Sequence, residues 1–158
     1  MSTNPGHQGG EAAMIGIEGI VTRNPVTLRE SDTLGDALEL MASQKIHHVP
    51  VVDDEHHVIG LVSHRDVLAA AHSSIGSEAE QSRARTVPLS SFMTRDVQTI
   101  HEEVSLLNAG IFLNKHRYGC LPVVKDGKLT GIITDSDFVS VAISFLDQAE
   151  ATDPHGPR

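Results

Sequence analysis

The stretch GLVSHRD, residues 60–66, returns further along the chain as GIITDSD, residues 131–137. Each copy begins with glycine, passes through two apolar residues to a hydroxyl, and ends three positions later in aspartate. Ser63 with Asp66, and Thr134 with Asp137, therefore form one Ser/Thr-x-x-Asp motif that occurs twice. Recurrence of a motif within one chain indicates a duplicated structural unit.

The duplication extends well beyond this motif. The segment VTRNPVTLRE (21–30) aligns with MTRDVQTIHE (93–102), and IHHVPVV (46–52) aligns with YGCLPVV (118–124). The second copy is one residue shorter between Pro-Val-Val and the glycine motif, where a turn is expected and a deletion is tolerated. The chain is therefore interpreted as two copies of one unit.

Periodicity predicts the first two elements of each unit. A short strand is expected at Pro25–Arg29, followed by a helix capped by Ser31 or Asp32. The helix in each copy has apolar residues at i, i+3, i+4 and i+7, which is the spacing of one buried face. These positions are Leu34, Ala37, Leu38 and Met41 in the first copy and Leu106, Ala109, Gly110 and Leu113 in the second.

A hairpin and a second helix complete each unit. HVPVV and VIGLV flank an acidic turn in copy one, and CLPVV and LTGII flank KDGK in copy two. Asp126-Gly127 is a strong hairpin-turn signal. Helices are expected from about residue 64 and about residue 135. The predicted fold class is α/β, with two tandem β-α-β-β-α repeats packed face to face in pseudo-two-fold symmetry.

The predicted organisation has five parts. Repeat 1 covers 17–72 and repeat 2 covers 88–146, with a Ser-, Glu- and Arg-rich linker at 73–87. Residues 1–16 and 147–158 are expected to be tails, disordered at their ends. A unit of this size buries little core alone, so the repeats are expected to pack together and leave clefts between them.

Composition narrows the class of protein. The 158 residues are 39% hydrophobic but only 3% aromatic, so the core is expected to be aliphatic. A net charge of −9 argues against a nucleic-acid or anionic-membrane partner. No apolar run approaches the roughly 18 residues that span a bilayer. The single cysteine excludes an internal disulfide and favours a cytoplasmic location.

The repeated motif has two possible roles. Ser/Thr-x-x-Asp before an apolar helix is a capping box, in which the hydroxyl accepts a hydrogen bond from a free backbone N–H. The same carboxylate can also accept hydrogen bonds from a ribose diol, while the helix start favours a phosphate. The four residues alone do not choose between capping and nucleotide binding.

Taken together, the repeat resembles a tandem pair of CBS domains, a Bateman module. The residues that carry the resemblance are VTRNPVTL, ALELM, IHHVPVVD and VIGLVSHRDVL in copy one, and FMTRDVQTI and YGCLPVVKDGKLTGIITDSDFV in copy two. The resemblance implies a non-enzymatic regulatory module that binds AMP, ADP, ATP or S-adenosylmethionine in clefts between the repeats. It implies no required cofactor, a homodimer, and an effector protein that the sequence does not identify.

The resemblance also assigns site residues by position. The hydroxyl and aspartate pairs would hold ribose, which makes them Ser63, Asp66, Thr134 and Asp137 here. The residues before each Pro-Val-Val strand would border adenine and phosphate, and the threonine before the first strand of each repeat is a weaker adenine contact. These are Ile46, His47, His48, Tyr118, Gly119 and Cys120, with Thr22 and Thr94.

The two copies differ where phosphate is expected. Copy one offers His47, His48, His64 and Arg65, whereas copy two offers Gly119, Cys120, Asp135 and Ser136 at the matching positions. Cations favour phosphate and an aspartate opposes it, so the copy-one side is expected to take the phosphorylated nucleotide. Lys115, His116 and Arg117 would weaken this contrast if they turned inward. Histidines at the phosphate would strengthen binding below about pH 6.5.

The same residues allow three other interpretations. A metal site would use His47, His48 and His64, but His56 and His57 fall at the far end of the hairpin and no zinc spacing is complete. Nucleophilic catalysis would need Cys120 and His116 in a pocket, and packing before a strand is favoured instead. The main alternative is a ligand-independent dimerisation or protein-interaction module that docks through Phe138, Val141 and Phe145.

Overall fold

The computed structural model of the chain describes residues 15–73 and 76–152. Its elements, in chain order, are β1 (Thr22–Arg23), α1 (Leu34–Gln44), β2 (His48–Val52), β3 (Val58–Ser63), α2 (His64–His72), α3 (Glu78–Arg85), a 3-10 helix (Leu89–Ser91), β4 (Ile100–His101), α4 (Leu106–His116), β5 (Cys120–Lys125), β6 (Lys128–Thr134) and α5 (Asp135–Thr152). The predicted α/β class is confirmed. The ends of both predicted tails lie outside the described residues.

Both predicted hairpins are confirmed, and their registers match. Val51 pairs with Gly60 in the β2–β3 hairpin, and Val123 pairs with Gly131 in the β5–β6 hairpin. The second turn has positive φ at Asp126 (51°) and Gly127 (78°), which is the backbone that a tight two-residue hairpin turn needs. Each hairpin has a bulge at the same relative position, so the duplication in sequence is a duplication in structure.

The repeats exchange their leading segments. Thr22 pairs with Ile132, so β1 from the start of repeat 1 adds an edge strand to the hairpin of repeat 2. In return Thr94 pairs with Leu61 of repeat 1 through two backbone hydrogen bonds of 2.9 and 3.0 Å. Since each sheet includes a segment from the other repeat, the two halves form one unit.

The predicted strand at Pro25–Arg29 is wrong in extent. Only Leu28 pairs there, in parallel with Val51, and the strand lies earlier at Thr22–Arg23. Pro25 has no N–H to donate to a ladder, which limits strand pairing at that point. The matching segment of repeat 2 forms β4, which pairs in parallel with β5.

The predicted cap of α1 is also wrong. Thr33 caps the helix: its hydroxyl accepts a hydrogen bond from the Asp36 N–H at 3.3 Å, and its own N–H donates to the Asp36 carboxylate at 2.9 Å. Asp32 instead accepts from the N–H of Arg29 at 2.7 Å, so its carboxylate is used by the preceding turn. The predicted apolar faces are confirmed, with Leu34, Ala37, Met41, Ala109 and Leu113 buried and the other positions half-buried.

The predicted linker contains a helix. Within 73–87, α3 packs against α1 and α2, with Ala84 against the core of repeat 1. The sequence EAEQSRAR is rich in good helix formers but has almost no apolar periodicity, so the hydrophobic pattern does not reveal it. At the other end, α5 continues through Thr152 and so covers the first part of the predicted C-terminal tail.

Candidate functional site

The strand-to-helix junction of repeat 1 is held by its own motif. The Asp66 N–H donates to Ser63 Oγ at 3.1 Å, and the Ser63 N–H donates to Asp66 Oδ2 at 3.1 Å. The motif therefore caps α2, as one of its two interpretations predicts. Capping also fixes the direction of the carboxylate at the helix start.

The junction of repeat 2 repeats this arrangement with a different detail. The Thr134 N–H donates to Asp137 Oδ2 at 2.8 Å, and the Thr134 hydroxyl donates to the same oxygen at 3.1 Å. Ser136 Oγ lies 2.8 Å from Thr134 Oγ1, a contact that His64-Arg65 in repeat 1 does not provide. Both motifs thus present a half-buried carboxylate at the start of a helix.

A cavity of about 920 Å³ opens beside the first motif, and we call it the Ser63 cavity. It combines the start of α2 with the end of α4 and the α4–β5 connection, so both repeats contribute to it. Its lining residues are His47, His48, Ser63, His64, Arg65, Asp66, Gly110, Leu113, Asn114, Arg117, Tyr118, Gly119, Asp135 and Phe138.

A second cavity, of about 490 Å³, opens beside the other motif, and we call it the Thr134 cavity. It combines the start of α5 with the leading segment and the α1–β2 connection of repeat 1. Its lining residues are Thr22, Asn24, Pro25, Val26, Gln44, Lys45, Ile46, His47, His48, Ile132, Thr134, Asp135, Ser136 and Asp137. Both volumes lie within the range of roughly 300–1,000 Å³ that is usual for small-molecule sites.

The cavities follow the predicted grouping by copy only in part. The copy-one histidines and Arg65 do line the Ser63 cavity with their own motif, as predicted, but Tyr118 and Gly119 of copy two line that cavity as well. Ile46 of copy one lines the Thr134 cavity. The exchange of leading segments contributes to this mixing, because it sets β1 of repeat 1 against β6. Sequence alignment of the copies cannot show this mixing.

Two predicted contacts do not line either cavity. The side chain of Cys120 is only 4% exposed, and burial raises the pKa of its thiol to about 12, with Asp135 and Asp137 adding to the shift. The thiol is therefore protonated at neutral pH. Thr94 is held by its backbone pairing to Leu61. His116, which nucleophilic catalysis would have paired with Cys120, instead stacks on Tyr118, with the two ring centroids 5.5 Å apart.

Two cations occupy matching positions in the two copies. Lys45 and Arg117 directly follow α1 and α4, and both have the left-handed backbone of a helix C-cap, with φ of 53° and 54°. Lys45 lines the Thr134 cavity and Arg117 lines the Ser63 cavity. Since Arg117 was considered from sequence, applying the repeat offset to it would have found Lys45.

Electrostatics at the junction of the two cavities centre on His48. Burial lowers its pKa below the ordinary value of 6.5; Asp135 and Asp66 oppose that shift, and His47 adds to it. His48 is therefore neutral at pH 7. The ring centroids of His47 and His64 lie 5.4 Å apart, so two more imidazoles line the Ser63 cavity close to His48.

Other candidate features have different placements. Phe138 lines the Ser63 cavity, whereas Val141 and Phe145 line a separate groove of about 430 Å³ along α5. His57 Nδ1 lies 3.3 Å from Asp53 Oδ2 at the hairpin turn.

Within the described ranges, no group of three or more His, Cys, Asp or Glu side chains is arranged to hold a metal ion. The helices of that part of the chain are all too short or too polar for a transmembrane span.

Comparison with known proteins identifies the relatives. A CBS domain model matches residues 17–73 and 89–144. A candidate acetoin utilization protein, AcuB of Vibrio cholerae, is 44% identical with a TM-score of 0.74, over 87% of this chain and 97% of that chain. CBSX2 of Arabidopsis thaliana, solved in complex with AMP, is 28% identical with a TM-score of 0.69, over 83% of this chain and 98% of that chain.

A curated relative is the inosine-5′-monophosphate dehydrogenase of Aquifex aeolicus, 35% identical over 118 residues. The alignment covers 73% of this chain but only 22% of the enzyme. The resemblance seen in the repeated motifs is therefore confirmed by two domain matches and by structural likeness over most of the chain. The chain belongs to the CBS-domain family, of which it carries a tandem pair.

Proposed function

We propose that this chain is a regulatory module that binds an adenosine nucleotide in the Ser63 and Thr134 cavities and passes their occupancy to another protein. The observation that carries the proposal is that each Ser/Thr-x-x-Asp helix start opens into a cavity of nucleotide size built from both repeats. The AMP complex of CBSX2, 28% identical to this chain, supports it. Catalysis is not part of the proposal.

Capping and ribose binding are compatible at both motifs. Among the described residues, every hydrogen bond that the carboxylates of Asp66 and Asp137 accept goes to Oδ2. An ionised carboxylate has two oxygens with about four acceptor positions, so Oδ1 can accept from a ribose hydroxyl while Oδ2 holds the cap. The two roles that the sequence could not separate are therefore expected to coexist.

Phosphate preference should differ between the cavities. Arg65 and Arg117 line the Ser63 cavity, whereas Lys45 lines the Thr134 cavity, and each cavity also has two aspartates, of which Asp135 is common to both. The carboxylates therefore do not distinguish the cavities, but the Ser63 cavity has two guanidiniums, which pair with phosphate in bidentate geometry, against one ammonium. The Ser63 cavity is accordingly proposed to prefer the phosphorylated ligand, with Arg117 now replacing the copy-one histidines as the main cation.

Thermal melting with AMP, ATP and S-adenosylmethionine tests the proposal. A ligand that binds only the folded state stabilises it by about 2.7 kcal/mol at a hundred times its dissociation constant. We expect at least one of these compounds to raise Tm, and we expect Asp66→Ala to reduce the response to AMP more than Asp137→Ala does. No response to any of the three would refute nucleotide binding, and equal losses in the two variants would refute the phosphate preference.

A second function, assembly without ligand, is favoured by one specific feature. The outer face of α5 exposes Val139 (59%), Ile143 (61%) and Leu146 (63%), and these positions follow helical spacing. Light scattering would test whether the chain is a dimer and whether Ile143→Glu makes it a monomer. Gln148→Glu, which adds the same charge at an exposed position on the opposite side of the same helix, is the matched control. A monomeric wild type would exclude homodimerisation through this face.

A further inference from the structure

The two cavities have a wall in common. His47, His48 and Asp135 line the Ser63 cavity and also the Thr134 cavity. His47 is the last residue of the α1–β2 connection, His48 is the first residue of β2, and Asp135 is the first residue of α5. A ligand in either cavity would therefore contact side chains that a ligand in the other cavity also needs.

The shared wall exists because the repeats differ at this point. Gly119 and Cys120 of repeat 2 occupy the positions that His47 and His48 occupy in repeat 1. A Cβ atom on Gly119 would lie only 3.1 Å from His48 Nε2, so the imidazole occupies space that a side chain there would need. With no side chain at Gly119, His48 reaches across the boundary between the cavities.

The wall is also tied to both helix starts. The His64 N–H, at the start of α2, donates to the carbonyl of His47 at 2.8 Å. The Asp135 N–H, at the start of α5, donates to the carbonyl of Gly119 at 3.1 Å. Movement of the connection that carries His47 would therefore displace the junction that holds Ser63 and Asp66.

We propose that the two cavities are negatively coupled, so that an adenosine phosphate bound in one weakens binding of a second in the other. This inference rests on the proposed function and adds a regulatory property to it. The coupling is electrostatic in origin and passes through the wall of His47, His48 and Asp135.

Charge fixes the sign of the coupling. A phosphate monoester carries a charge of about −1.5 to −2 at pH 7. His48 is neutral at pH 7 and so cannot neutralise either phosphate, and Asp135 adds a further negative charge to the wall. The Ser63 cavity is expected to fill first because Arg65 and Arg117 belong to it alone. The second phosphate then approaches a wall that already faces an anion. A neutral nucleoside has no such repulsion.

Calorimetric titration with AMP and with adenosine tests the coupling on the full chain. Asp66→Ala removes the ribose contact of the Ser63 cavity, and Asn114→Trp places a large side chain at the lining of that cavity without a change in charge. We expect each variant to bind one AMP, in the Thr134 cavity, about tenfold more tightly than the wild type binds its second AMP, which is a usual size for coupling between sites. Adenosine should bind the Thr134 cavity equally well in all three proteins.

The outcomes separate the two hypotheses. If both variants bind AMP with the second constant of the wild type, the coupling is refuted and nucleotide binding stands. If only Asp66→Ala gains affinity, the gain comes from the lost carboxylate and the coupling is again refuted. If the wild type binds one AMP while Asn114→Trp and Asp137→Ala each still bind one, both cavities work singly but not together, and the coupling is supported in its strongest form. If the wild type binds neither AMP nor adenosine, the proposed function itself fails.

Discussion

His48 is a neutral imidazole held beside two carboxylates. Its burial lowers its pKa, and this loss of basicity is larger than the opposing effects of Asp135 and Asp66. The unfolded chain binds a proton at this residue near the ordinary value of 6.5, whereas the folded chain binds it only at lower pH. Between those two pKa values the unfolded state therefore carries more protons.

The free energy of unfolding should consequently fall as pH drops below about 6.5. Above that value the contribution of His48 is complete, and it is lost progressively toward the lowered pKa of the folded state. His48→Gln keeps a polar side chain of similar size but cannot titrate. We expect the variant to lose less stability than the wild type between pH 7 and pH 5.5, measured by urea unfolding. Equal losses in the two proteins would show that His48 does not contribute.

The same residue modifies an expectation made from sequence. Binding of an anionic ligand was expected to strengthen below about pH 6.5, the value for an ordinary histidine. Since burial lowers the pKa of His48, its share of that effect should begin at a more acidic pH. Sequence gives the type of titrating group, but the pKa depends on burial and on neighbouring charges that only the fold brings together.

At the scale of elements, α3 distinguishes the repeats. It covers the α1–α2 side of repeat 1 and buries no residue fully, with Ala84 as its partly buried contact to the core. Ala84→Gln should push α3 away from the core and lower the free energy of unfolding by about 1 kcal/mol, the lower end of the cost of overpacking.

Ala79→Gln is the matched control for that variant, because Ala79 is exposed on the same helix and the substitution is identical. We expect urea unfolding to show almost no change for Ala79→Gln. If the two variants were equally stable, the contact between α3 and repeat 1 would carry no energy.

The elements also show what sequence can and cannot predict. Hairpins and amphipathic helices were predictable because their signals are local: alternation, a turn dipeptide such as Asp126-Gly127, and apolar residues at helical spacing. The position of β1 was not, because Thr22 pairs with a strand of the other repeat. The cap of α1 was misplaced by one or two residues because Ser31, Asp32 and Thr33 are all good caps and only the structure shows which hydroxyl meets an N–H.

The candidate site was also predictable only in part. The residues of the Ser/Thr-x-x-Asp motifs were predicted individually and lie beside cavities. Tyr118 and Gly119 were grouped with the motif of their own copy but line the Ser63 cavity, because their placement depends on how the two repeats pack. Asn24, in the leading segment of repeat 1, lines the Thr134 cavity but belongs to no recognisable motif, so the sequence did not predict it.

At the scale of the whole molecule, the exchange makes each sheet depend on both repeats. Thr94 belongs to the sheet of repeat 1, and β1 belongs to the sheet of repeat 2. The turns also meet, with Leu129 N–H donating to the carbonyl of His56 at 3.0 Å. Loss of one hairpin would remove an edge partner from the other, so the repeats should unfold in one cooperative transition.

The chain contains a convenient reporter for this prediction. Tyr118, its only tyrosine in a sequence without tryptophan, lies in repeat 2. Val51 is fully buried in repeat 1, and Val51→Ala should lower the free energy of unfolding by about 2 kcal/mol through lost burial and a small cavity. If the repeats unfold together, urea titrations followed by Tyr118 fluorescence and by far-UV circular dichroism should shift to the same lower midpoint.

Leu68→Ala, at a position 39% exposed in repeat 1, is the control and should shift both midpoints much less. A Tyr118 transition that keeps its wild-type midpoint in Val51→Ala, while circular dichroism separates into two steps, would mean that the repeats fold independently despite the exchanged strands.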